Sequence, residues 1–225
     1  MRSIRLAAAA LLLTAAACMT PSSASAQSAS TANWQDSWFW GVYGGQMQFP
    51  TVIATTTAPT IGIDWVITRT NFALNVFAEQ SYFTNAVSTV PDFPTSAPRR
   101  VDFTDIRRVG FSAMFLTPQY KMFKPYVGAG YSFNFVKAAS PEGNFYSSPA
   151  AKDSVAARID KARVQGKLFG NIGVMALFGR YAPFVEYTVM PTQGRKTGLI
   201  NGDGFTNVWK LGLRYNFGSS IEKKW

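Results

Sequence analysis

Apolar and polar residues alternate with a period of two along most of the chain beyond residue 37, and the last strand-like stretch shows the pattern most simply. In "KLGLRYNF" (210–217), Leu211, Leu213, Tyr215 and Phe217 hold one parity, while Lys210, Gly212, Arg214 and Asn216 hold the other. Successive strand side chains point to opposite faces, so the segment presents one apolar face and one charged, small or polar face. Seven further segments repeat the pattern. They begin with Trp38–Phe49, then Thr60–Thr68, "FALNVFAEQSYFT" from Phe72, and a run ending in Val109, Phe111, Ala113 and Phe115. Pro125–Val136, roughly Arg163–Phe178 and "YAPFVEYTV" from Tyr181 complete the set. The sixth is the least regular, since Phe169 and Met175 interrupt its polar parity. Helical spacing fits none of them.

The connectors alternate as well. Loops of about eleven, sixteen, twenty-six and fourteen residues are separated by turns of about four, eight and two, with boundaries uncertain by two to four residues. Long, short, long, short is the order of an up-and-down membrane barrel, whose short turns gather at one end and long loops at the other. The sequence therefore predicts an all-β, eight-stranded antiparallel up-and-down transmembrane β-barrel. Aromatic residues fall near both expected interfaces: Phe72, Phe115, Tyr126, Phe178, Tyr181, Tyr215 and Phe217 by the short turns, and Phe83, Phe103, Phe135, Tyr187 and Phe205 by the loops. The competing architecture, a soluble β-sandwich or barrel binding an apolar ligand, requires the apolar faces to point inward.

The N-terminal region changes the compartment. Arg2 and Arg5 precede "LAAAALLLTAAA", and "ASA" stands before Gln27, the layout of an export signal. The expected organisation is a signal peptide at 1–26, a polar leader at 27–37, the barrel at 38–217 and a short periplasmic tail at 218–225, with Trp225 packing at the inner interface. The one cysteine, Cys18, lies inside the signal, so the mature chain has no disulfide. Cleavage before Cys18 with acylation is the alternative, but Ala15 stands where such a box favours a leucine-like side chain.

Composition agrees. No run of eighteen apolar residues lies beyond the signal, so any spanning is done by strands. Formal charge is +10 over 225 residues, or +8 without the signal segment. An exported basic protein meets lipid phosphate in a Gram-negative outer membrane rather than nucleic acid. Arg99, Arg100, Arg107, Arg163, Arg195 and Lys196 gather near the loops, where guanidinium suits phosphate bidentately, and are read as a lipopolysaccharide-contacting rim.

Parity assigns Asp64, Glu79, Arg108, Lys167, Glu186, Lys210 and Arg214 to the lumen. An eight-stranded barrel is just wide enough to be filled by side chains, so these acids and bases are expected to pair there. They form either a polar core that holds the barrel shut or the gate of a narrow pore for small polar or amphipathic solutes. The chain has no histidine, which removes the usual catalytic base and the commonest metal ligand. No catalytic residue, cofactor site or metal site is assigned.

Lys210, Gly212, Tyr215 and Phe217 match the C-terminal assembly signal of bacterial outer-membrane barrels, and "KPYVGAGYSF" resembles a central strand of the OmpA-like and opacity-protein-like barrel superfamily. The resemblance implies that the last strand is read by the barrel-assembly machinery, that both termini are periplasmic and that internal ion pairs fill the lumen. Members usually end at the terminal aromatic, whereas "GSSIEKKW" follows Phe217 here. The loops remain as the place for a surface partner.

Overall fold

The computed structural model describes residues 34–92, 97–137, 139–142, 149–161, 163–192 and 202–219. The signal segment with Cys18, the residues after Ser219 with Trp225, and Arg195 and Lys196 lie outside them. Eight long antiparallel strands form a closed barrel: β1 (Ser37–Pro50), β2 (Thr55–Arg69), β3 (Phe72–Asp92), β4 (Ala97–Leu116), β5 (Phe123–Val136), β7 (Val164–Ala176), β8 (Tyr181–Pro191) and β9 (Phe205–Ser219). Each long strand pairs with its neighbours in sequence, and β1 against β9 closes the ring, with Val42 opposite Leu213. A ninth, short strand, β6 (Ala139–Pro141), pairs with the outer part of β4.

The alternation sets which face is wet. Val42, Ile61, Ile63, Leu74, Val109, Phe111, Val127, Leu168, Ile172, Val185, Leu211 and Leu213 all point outward and are exposed. Such a belt is what hydrocarbon, not water, covers. The inward-ligand alternative fails on this point, because the large apolar side chains of the alternating faces are on the outside. Outward Gln46, Gln80, Arg107, Lys137 and Asn207 bound the belt toward the long loops. At the short-turn end Trp40 stacks on Trp65 at 5.8 Å, Phe72 meets Phe115 edge-on at 5.6 Å, and Tyr215 lies between Tyr181 and Phe217.

Three aromatics expected in the girdles are instead inside the barrel. Tyr126, Phe83 and Phe103 are buried. Tyr126 shares its parity with Gly128, so the alternation of its own strand turns it inward. Phe83 and Phe103 lie where β3 and β4 run on past the belt and cover an apolar core.

That extension is also the main difference in connectivity. The sixteen residues expected as a loop after β3 are largely strand: Ala86 to Asp92 pair with Phe103 to Ala97. The first loop likewise shrinks, since β2 begins at Thr55. Paired strands satisfy their backbone groups while burying Ala86, Val101 and Phe103 on the inner side. The long loop after β5 carries β6 and a helix, α1 (Pro149–Lys161). Pro149 suits a helix start, Arg158 and Lys161 lie in the last turn, and Ala151, Val155 and Ile159, spaced by four, are the buried stripe.

The interior is layered. At the short-turn end Trp34, Phe39, Val66, Ala73, Leu116, Met175 and Ala182 form one apolar plug, so the end of the expected polar leader contributes to the core. At the other end Met47, Phe49, Phe83, Phe103, Ile106, Val136, Val155, Ile159 and Met190 form a second. Charged side chains occupy the space between. Phe169 and Met175 are therefore not interruptions; both point inward, where apolar bulk fills the lumen.

Candidate functional site: the charged layer of the lumen

All seven side chains assigned to the lumen are buried there, with Arg108 and Arg214 0% exposed. Asp64 on β2 and Arg214 on β9 face each other across Gly41 of β1, to which both are register partners. Arg214 donates to Asp64 Oδ2 from Nη2 at 2.6 Å and from Nε at 3.0 Å. Its guanidinium lies 3.7 Å from the Phe184 ring centroid, a desolvated cation–π contact that adds to the pair.

Glu79 on β3 and Arg108 on β4 are direct register partners, and Nη2 of Arg108 lies 2.6 Å from Glu79 Oε1. Glu186 on β8 and Lys210 on β9 are also register partners, with Nζ 3.0 Å from Glu186 Oε1. Lys210 reaches on to Glu79 Oε2 at 3.4 Å and joins the two pairs into one chain of charge. A cation between two carboxylates offsets the repulsion each would otherwise impose on the other.

Neutral side chains complete the carboxylates' coordination. The Tyr43 hydroxyl donates to Glu79 Oε2 at 2.8 Å, and that of Tyr126 to Glu186 Oε2 at 3.0 Å. Asn171 Nδ2 donates to the same Oε2 at 3.1 Å, and Thr188 Oγ1 to Oε1 at 3.2 Å. Sequence reasoning did not single out Tyr43, and it placed Tyr126 in the short-turn girdle. Their signal lay in the inward glycines: a Cβ on Gly212 would come within 2.6 Å of Tyr43 Cβ and Phe184 Cε1, and one on Gly173 within 2.5 Å of the Tyr126 hydroxyl. The rings need that room to lie flat across the lumen.

Lys167 is different. It is buried on β7, and no carboxylate among the described residues lies within ion-pair distance; its ammonium sits 5.6 Å from the Phe49 ring centroid. Three acids thus face four bases in this layer.

The assembly-signal residues occupy β9 with divided roles. Lys210 and Gly212 face inward, Phe217 is exposed on the outside and Tyr215 meets Tyr181 and Phe217 edge-on in the outer aromatic row. The rim residues do not share one height. Arg107 is exposed just above the belt, its Nε donating to Gln80 Oε1 at 3.2 Å. Arg163 lies near it around the barrel, bound to Asp160 at 2.7 Å and to the Lys137 carbonyl at 3.2 Å. Arg100 stands seven residues further along β4, on the order of 20 Å outward, and pairs with Glu142 at 2.7 Å and Asp102 at 3.4 Å. The Arg99 side chain, like Arg195 and Lys196, lies outside what the structure describes.

No family model and no curated protein sequence matches the chain. Among solved structures, Neisserial surface protein A is similar at 16% identity and a TM-score of 0.55, over 80% of this chain and 97% of that one. The outer membrane protein OprG from Pseudomonas aeruginosa aligns at 10% identity and 0.49, over 84% and 99%. The attachment invasion locus protein Ail of Yersinia pestis aligns at 9% and 0.44, over 81% and 99%. With the closed ring of eight strands and its outward apolar belt, the first of these likenesses identifies the fold as that of the small outer-membrane β-barrels.

Proposed function

We propose that the chain is an integral outer-membrane protein of structural or surface-interaction type whose lumen is closed, with both chain termini in the periplasm. The observation that carries this reading is the layering of the interior: among the described residues, an ion-paired layer lies between two clusters of buried apolar side chains. Absence of histidine from the whole sequence supports a role without catalysis. The β3–β4 extension and α1 are then a rigid platform for a surface partner, and β9 is the strand offered to the assembly machinery. In planar bilayers the refolded barrel, its folding checked by heat-modifiable migration, is expected to give no steady openings. Regular unitary currents would overturn the closed reading.

The rim supports contact with lipopolysaccharide. Of the described rim arginines, Arg107 is the one with no carboxylate partner among the described residues, and its exposed side chain at the edge of the apolar belt is the one we read as meeting a lipid phosphate. Arg107→Ala is expected to release lipopolysaccharide from the detergent-extracted protein more readily than Arg100→Ala does, read by native mass spectrometry. Equal retention by the two variants would remove Arg107 from that role.

A second reading, passage of small polar or amphipathic solutes, is favoured by one feature. The β7–β8 seam holds six residue pairs, fewer than any other seam of the ring. A groove of about 540 Å³ lined by Leu168, Gly170, Val189 and Pro191 lies over it on the outer face. The conductance measurement decides between the readings.

A further inference from the structure

Lys167 is a buried cation for which the ion-pair layer provides no acid. It borders a narrow void, about 10 Å³ open to the centre of a water-sized sphere, between the charged layer and the long-loop plug. Asn134, Thr206 and Met190 share that void. The Thr206 hydroxyl is buried and has no hydrogen-bond partner. Met190 connects the void to Arg108, whose Nη1 donates to the thioether sulfur at 2.8 Å, a weak acceptor, while its Nε has no partner at all. Arg108 and Lys167 also repel each other electrostatically. One buried cation and one unused hydroxyl therefore border a single space that has no carboxylate among its lining residues.

We infer that this void is a binding site for a compact monovalent inorganic anion, of the halide class, held between Lys167 and Thr206. Water alone would satisfy the donors but leave Lys167 either charged without a counter-ion, at a cost of several kcal/mol, or obliged to give up its proton, whereas an anion keeps it charged. One negative charge makes the layer neutral, since three acids then have a fourth anion against four bases. The size of the void selects a monatomic ion and excludes sulfate or phosphate. The site rests on the closed reading of the lumen, which the conductance measurement tests separately from the halide dependence.

The test compares unfolding rates of the folded barrel in dodecyl sulfate at matched ionic strength, with chloride or bromide against gluconate as the sodium salt. For the native chain, halide is expected to slow unfolding roughly tenfold, the effect of a ligand at about ten times its dissociation constant, with saturation as its concentration rises. Lys167→Met, which keeps the bulk and removes the charge, is expected to fold, shown by heat-modifiable migration, and to lose the halide dependence. Thr206→Val keeps the cation and is expected to weaken saturation without abolishing it. Crystals grown in bromide are expected to show one anomalous peak beside Lys167 Nζ. Equal rates in halide and gluconate, a dependence that survives Lys167→Met, or a bromide-grown crystal without that peak would each overturn the site.

Discussion

Glu79→Ala is expected to lower the unfolding free energy of the barrel by roughly 3–5 kcal/mol, the usual cost of removing one partner from a buried ion pair. The Glu79 side chain is fully buried and takes Arg108 at 2.6 Å, Lys210 at 3.4 Å and the Tyr43 hydroxyl at 2.8 Å. Its loss leaves Arg108 without a carboxylate and Lys210 with one, in a layer where Lys167 already has no carboxylate within reach among the described residues. The penalty belongs to the stranded cations more than to the lost attraction. Adding Arg108→Met to Glu79→Ala is therefore expected to recover part of the loss, because it removes a charge and retains apolar bulk against Phe77 and Phe169. Urea unfolding in lipid vesicles, followed by tryptophan fluorescence, measures both. A loss below about 1 kcal/mol, the range of a solvated surface pair, would mean that water reaches Glu79 and that the layer is not sealed.

Leu211→Arg is expected to destabilise the membrane-embedded barrel by roughly 2–4 kcal/mol, the cost of arginine near the bilayer midplane on a barrel's lipid face. Leu211 is 66% exposed and lies midway between the aromatic row at Tyr215 and Phe217 and the polar margin at Asn207. Gln46→Arg, at the margin of the same belt, is expected to cost about 1 kcal/mol or less. The difference between the two is the measurement, since both add the same side chain to an exposed strand position. Equal small effects would place water, not hydrocarbon, against Leu211.

The lumen residues were legible because parity alone separates Asp64 from Ile63 and Lys210 from Leu211, and the narrow ring then leaves them nowhere to go but toward one another. Their partners were not. Glu79 meets Arg108 because β3 and β4 pair in one particular register, and a different register with the same parity would bring different acids and bases together. Tyr126 was misplaced by its aromatic character, which suits an interface, although the strand it sits in turns it toward Glu186. The stretch after β3 was misread because turn residues such as Pro91, Pro94 and Pro98 mark loops locally, whereas pairing of β3 with β4 carries the ladder through two of those positions.

By itself the sequence determined the eight alternating segments, the closed antiparallel ring that they form and the charges turned inside. These depend on the two-residue repeat of a strand, which is written into the order of side chains. Only the tertiary structure decided which acid meets which base, that β3 and β4 continue past the apolar belt, that apolar clusters lie on both sides of the charged layer and that Lys167 has no carboxylate within reach among the described residues. Those outcomes depend on register and on the distance between strands far apart in the chain, where the position of one side chain is fixed by the volume of all the others.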